Sequence, residues 1–240
     1  MKYTGSKARI SQEICQILNK CIIDNNITTY IEPFVGGANV IESIVCEKRY
    51  GLDNNEYLIS LWNALLNGYE PPPFIDRETY QKIKDNRNDY PKELVGVAGI
   101  CASYNGVWFG SYGGYSPTKT GKDRNYYAEA VRNVKNQLPK LKNIKFSARS
   151  YLDLKIEKMN NFLIYCDPPY AQNKSLYDDK TFNHEIFWEW VRKLSKNNHV
   201  FVSEYQAPKD FTIVWEKQLS KMFPAQKKDT PTEKLFVFTP

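Results

Sequence analysis

Asp167-Pro168-Pro169-Tyr170 follows directly on the apolar run Phe162-Leu163-Ile164-Tyr165-Cys166. That run is short and β-prone, so it reads as a buried strand whose carboxyl end delivers Asp167 into a crevice. Pro168 and Pro169 each fix φ at about −65° and neither donates a main-chain hydrogen bond, which leaves the Pro168 carbonyl free to face a ligand. Asp167 sets a carboxylate acceptor beside that carbonyl, and Tyr170 supplies an aromatic plate. Two adjacent acceptors and a plate suit the alkylation of an exocyclic amine on a flat base. The amine's lone pair is conjugated with its ring. If Asp167 and the Pro168 carbonyl accept its two N–H bonds, the nitrogen moves towards tetrahedral geometry and the lone pair becomes available, which is catalysis by positioning and preorganised electrostatics. Stacking on Tyr170 is worth about 1–3 kcal/mol per base.

A second constellation lies upstream. Residues 28–34 predict a strand, followed by Phe34-Val35-Gly36-Gly37-Ala38-Asn39 and a stretch with helical spacing. The expectation is strand, glycine turn and helix, with Ala38 beginning the helix; paired glycines give a ligand close access to the backbone. Arg49-Tyr50-Gly51-Leu52 predicts another strand ending in Asp53, which places an acid where ribose hydroxyls lie in a doubly wound sheet. The three strand ends would line one crevice.

In these motifs and their order the chain resembles the Dam-like (D12 class) DNA adenine-N6 methyltransferases. The resemblance takes in Lys2-Tyr3-Thr4-Gly5-Ser6-Lys7, the Phe34-Val35-Gly36-Gly37 turn, Asp53-Asn54, residues 146–153, the Asp167–Tyr170 motif and Ser203-Glu204-Tyr205, and so covers nearly the whole chain. It implies an α/β, Rossmann-like methyltransferase fold with an inserted helical and hairpin target-recognition domain, S-adenosyl-L-methionine as cofactor, and double-stranded DNA as substrate. Carried over residue by residue, it implies that Tyr3, Lys7, Asp53 and Asp167 contact the cofactor, that Phe34, Gly36 and Gly37 shape its pocket, and that Asp167 also serves the target amine with Pro168, Pro169 and Tyr170. The turn reads Gly-Gly-Ala where some relatives carry a third glycine. Ser203-Glu204-Tyr205 matches more loosely, and Ser203 and Glu204 receive no catalytic role. Cytosine-N4 enzymes of similar chemistry usually carry serine at the Asp167 position, so the aspartate favours adenine. An RNA adenine-N6 methyltransferase, or a non-catalytic DNA-binding module that keeps the fold, stands as the alternative.

Two hundred and forty residues can bury a sizeable core and hold one α/β domain with a modest insertion. A net charge of +6 favours an anionic partner without requiring one. The five cysteines are odd in number and show no C-x-x-C spacing, and there are only two histidines; neither a disulfide framework nor a metal site is expected, and no histidine-based nucleophile dyad is in view. No apolar run approaches membrane-spanning length. The expectation is a cytoplasmic protein, bacterial or phage-encoded given the resemblance, and a monomer suffices because one chain holds every part.

The elements that must position these groups follow from periodicity. Helices are expected at 7–23, from 57 to about 66, through 77–104, and at 185–194; strands at 144–147, 162–166, 200–203, 211–215 and 235–238. Pro71-Pro72-Pro73 marks the clearest boundary. It divides a catalytic domain, residues 1–69 and 144–240, from a target-recognition insertion, residues 70–143. Within that insertion Asn105-Gly106 predicts a hairpin turn among large aromatics, and a basic stretch follows it. Asn105, Trp108, Tyr112, Lys119, Lys122 and Arg124 are the candidate DNA contacts, since stacking rings beside phosphate-neutralising cations form the footprint of a nucleic-acid surface.

Overall fold

The computed structural model describes residues 1–117, 123–170, 182–219 and 232–239. Five strands are parallel: β1 (Thr29–Glu32), β2 (Lys48–Asp53), β5 (Ile144–Ala148), β6 (Leu163–Cys166) and β7 (His199–Glu204); β1 and β6 are buried along their whole length, whereas β2 and β5 are partly exposed. An antiparallel pair, β8 (Phe211–Gln218) and β9 (Thr232–Phe238), closes the edge on β7, giving the order β5-β2-β1-β6-β7-β9-β8. The chain builds outwards from β1 to β5 and then crosses back to lay β6 on the other side. The switch point therefore falls between β1 and β6, where open α/β sheets hold their ligands beyond the carboxyl ends of the strands.

Side chains alternate across the sheet with period two. Tyr30, Leu163, Tyr165, Phe201 and Leu235 face one core, with α1 (Ser11–Asp24), α2 (Glu56–Leu66), α4 (Lys92–Cys101) and α5 (Tyr126–Leu141) packed over it. Ile31, Ile164, Cys166, Val200 and Val202 face the other, under α6 (His184–Leu194), where Trp188 and Trp190 are both buried. Asn55, Asp76, Asn125 and Asn183 cap α2, α3 (Arg77–Asp85), α5 and α6, each accepting a backbone N–H of the first turn. The helix α4 lies against α2, and at Gly96 an added Cβ would sit 2.5 Å from the Tyr57 carbonyl oxygen, so only glycine permits this approach.

Three expectations change. The first helix starts at Ser11, four residues later than its periodicity suggests, because Lys7 turns its side chain into the site described below while residues 7–10 form a separate turn. No α-helix follows the glycine turn. Ala38 adopts φ +55° and Asn39 directs its side chain to Met1 and Ser6, so the chain manages only a 3-10 turn at Ile41–Ser43. Asn105 and Gly106 do adopt the left-handed conformations of a hairpin turn, yet they form a 3-10 turn flanked by a single Ser103–Tyr112 bridge. Trp108 and Phe109 pack on the helical core instead of extending a strand. The short ladder in this region is β3 (Tyr115–Pro117) with β4 (Asp123–Asn125).

Candidate active site

The carboxyl ends of β1, β2 and β6 converge on a crevice of about 560 Å³, within the usual size of a small-molecule site. Tyr3, Lys7, Phe34, Gly36, Gly37, Asp53 and Asp167, all seven residues expected at the cofactor, line it, and so does Pro169. Pro168 is buried and is not among the lining residues.

The glycine turn is held from below by Asp53. Its Oδ2 accepts the Gly36 N–H at 3.0 Å and its Oδ1 the Asn55 N–H at 2.9 Å. Burial pushes this carboxyl above its ordinary range while those amides pull it back. Gly36 has φ +43°, and a Cβ there would lie 2.9 Å from the Tyr3 ring, which covers the turn. The Trp62 indole donates to the Gly36 carbonyl at 3.1 Å. From α5, Gln137 donates to the carbonyls of Gly37 and Ala38 at 3.0 and 3.1 Å. Phe34 extends into an aromatic group with Tyr151, Phe182 and Phe187.

Asp167 leaves β6 with its side chain 18% exposed, opening into the crevice, and Lys7 Nζ lies 2.8 Å from its Oδ1. Burial raises this carboxyl to about 6 despite the lysine, and the neighbouring Glu233 pushes in the same direction. At neutral pH it is mostly ionised and is an acceptor. Tyr170 is buried; its hydroxyl donates to Glu233 Oε2 at 2.8 Å, Lys7 Nζ sits 4.5 Å over the ring, and Tyr205 meets it edge-on at 4.6 Å. The plate expected to receive a base is thus already in contact on several sides. Beside it, the Tyr165 hydroxyl and Ser203 Oγ lie 2.7 Å apart, and Glu204 accepts the Tyr205 N–H.

The expected nucleic-acid contacts fall in different places. Trp108 lines the crevice, stacked on Tyr57, and Tyr112 is anchored by a 2.7 Å bond to the Ile75 carbonyl beneath Arg77. Asn105 is exposed. Arg124 is exposed, paired with Glu129 through two 2.8 Å bonds, and lies 4.7 Å over the Tyr126 ring. Lys119 and Lys122 lie outside the described residues.

Four polar residues of this region had no role assigned from the sequence: Glu32, Asn39, Gln137 and Glu233. Glu32 ends β1 in the crevice wall, accepts the Tyr30 hydroxyl at 2.9 Å, and is held by burial well above the usual carboxylate range. An acid closing an otherwise apolar strand was a visible signal. Gln137 and Glu233 reach the site from distant elements and carry no local mark.

Residues 3–218 match the model of the D12 class N6 adenine-specific DNA methyltransferases. Among curated relatives, the Type II methyltransferase M.MjaIII of Methanocaldococcus jannaschii is 25% identical over 198 residues, covering 71% of this chain and 68% of that one. The Type II methyltransferase M.FokI of Planomicrobium okeanokoites is 25% identical over 213 residues, covering 80% of this chain and 31% of that longer protein. Among solved structures, an rRNA methylase from Streptococcus thermophilus superposes with a TM-score of 0.41 at 9% identity, covering 95% of both chains.

Proposed function

The chain belongs to the D12 class of N6 adenine-specific DNA methyltransferases, and from that premise we propose that it transfers a methyl group from S-adenosyl-L-methionine to the N6 amine of adenine in duplex DNA. The observation that supports this most is Asp167 at the end of β6, opening into the same crevice as the Asp53-braced glycine turn.

The crevice fits the cofactor. It is lined by Gly36 and Gly37, where a Cβ would collide with Tyr3 and Asn39, and by Asp53 and Tyr3 themselves. S-adenosylmethionine, when bound there, supplies an electrophilic methyl group. Asp53 would accept hydrogen bonds from hydroxyls, Tyr3 and Phe34 would present ring faces, and Gly36 and Gly37 would let the ligand reach the main chain. Asp167 and the Pro168 carbonyl would accept the two N–H bonds of the extruded adenine, fixing its amine and freeing the lone pair. Lys7 holds the Asp167 carboxylate in its ionised, accepting form. The surplus proton leaves to solvent or a neighbouring acceptor. Extruding the base costs a few kcal/mol, which the two acceptors would offset, while Tyr170, its ring already covered by Lys7 and met by Tyr205, would brace the motif from behind.

Residues 70–143 would serve as the target-recognition insertion and residues 1–69 and 144–240 as the catalytic domain. The support is a patch in which Phe74, Tyr104 and Tyr115 are exposed, Phe74 meets Tyr115, and Tyr104 meets Tyr126 under Arg124. Lys119 and Lys122 would add phosphate contacts. The chain would work in the cytoplasm of a bacterium, or from a phage genome, and one copy would suffice. Among the described residues no helix is long and apolar enough to cross a membrane.

Incubation with methyl-labelled S-adenosylmethionine and unmodified duplex DNA, followed by digestion to nucleosides, tests the proposal. Labelled N6-methyladenine is expected. Label appearing only in structured RNA would reassign the substrate, and cofactor binding without any transfer, or no binding at all, would overturn the catalytic reading.

A further inference from the structure

Three stretches of chain meet beside the crevice: Lys7, the Asp167–Tyr170 motif, and Glu233 on β9. Glu233 is 7% exposed and lies on the same face of its strand as the fully buried Leu235. A carboxylate on that face is costly to bury, and the sheet would be better served by an apolar residue. Its surroundings give the reason for an acid. One Glu233 oxygen accepts the Tyr170 hydroxyl at 2.8 Å and lies 3.8 Å from Lys7 Nζ. The same ammonium is 2.8 Å from Asp167 Oδ1 and 4.5 Å above the Tyr170 ring. Two carboxylates thus share one lysine, and the plate and the acceptor are tied through it.

We infer that Glu233 is a positioning residue of the active site: it fixes the Tyr170 ring by its hydroxyl and anchors Lys7 against Asp167. The inference rests on the methyl transfer proposed above. Its electrostatic consequence is specific. Asp167 is faced by Lys7 from the amino-terminal segment, Glu32 from β1, Tyr165 and Cys166 from its own strand, Tyr170 from the motif, and Glu233 from β9. Lys7 is the one cation among these named groups. Glu233 opposes the ionisation of Asp167, so removing its charge makes that carboxylate form more readily.

The test uses Glu233→Gln, which keeps shape and loses charge, Glu233→Ala, and Tyr170→Phe, alone and combined with Glu233→Ala. Expected are an acid limb of kcat/KM displaced to lower pH by about one unit in Glu233→Gln, and about a tenfold loss of kcat/KM at neutral pH in Glu233→Ala. Adding Tyr170→Phe to Glu233→Ala should cost less than about twofold more, because residues that act as a unit are not additive. Carbon-13 NMR titration of Asp167 reads the same displacement without turnover. An unmoved Asp167 titration in a folded Glu233→Gln protein, or multiplicative losses in the double variant, would overturn the inference. A wild-type protein that transfers no methyl group, with the Asp167 titration still displaced by the substitution, would instead locate the failure in the proposed reaction.

Discussion

Charge is used in opposite ways at the switch-point crevice and on the surface of residues 70–143. In and beside the crevice Lys7, Asp167, Asp53 and Glu233 are buried or nearly so, and each charged group is paired with another or with main-chain amides at fixed distance. On the surface the basic residues stand in solvent. Lys135 pairs with Glu70, Lys140 with Glu42 at 3.5 Å and Arg124 with Glu129, acids contributed partly by other segments that the run of basic residues does not reveal. Exposed pairs of this kind contribute little and are screened by salt. The lesson is that one charge change in the crevice should act as a switch, whereas on the surface many must change before binding responds.

The sharpest way to break that contrast is Asp167→Ala. Loss of one of the two acceptors should lower methyl transfer by about a thousandfold or more, measured as label incorporated into DNA, with the melting transition retained; normal turnover would remove the central role of this carboxylate. Next comes Gly36→Ala. The strained φ and the clash with the Tyr3 ring should weaken cofactor binding by roughly tenfold or more, and calorimetry returning the wild-type affinity would show that the turn can relax.

A pH profile separates the regions more finely. Because Asp167 is raised to about 6, activity should climb through that pH as the carboxylate ionises. The sign for stability is reversed. Between the ordinary aspartate pKa of about 4 and the folded value, the native state binds more protons than the unfolded chain, so this group's contribution to stability falls as pH rises through that window. Melting temperatures and rates taken across the same range should therefore diverge, and a rate profile flat through pH 6 would detach Asp167 ionisation from catalysis. The smallest expected effect is at Arg124. Its replacement by alanine should weaken DNA binding only a few-fold and reduce the salt slope by about one, with cofactor affinity untouched; an unaltered slope would take Arg124 off the DNA.

How far these regions were legible in the sequence follows the same division. β6 announces itself by an apolar run leading into an aspartate and β2 by a short β-prone stretch, Tyr50-Gly51-Leu52, that also ends in one, and Asp53, Asp167 and the glycine turn arrive together because each sits at the end of its own strand. Lys7 was visible only through family resemblance, since a single lysine in a polar segment has no local pattern. The helix expected after Gly37 does not form, although Val40, Ile41 and Ile44 are buried there, because the chain makes a compact turn governed by the positive φ of Ala38. Glu233 and Gln137 were illegible because their partners lie 63 and about 100 residues away, where neither periodicity nor motif reaches.

Gln137 also bears on how such enzymes diversify. The helix that carries it belongs to the proposed recognition insertion, yet its amide clasps the glycine turn at Gly37 and Ala38. If residues 70–143 are the recognition insertion, that segment is not a free-standing cassette in this chain. A chimaera joined upstream of Gln137 keeps the native clasp, whereas one that imports α5 from a donor must import a matching amide with it, and new target words should be easier to reach by altering the loops before α5 than by replacing the whole insertion.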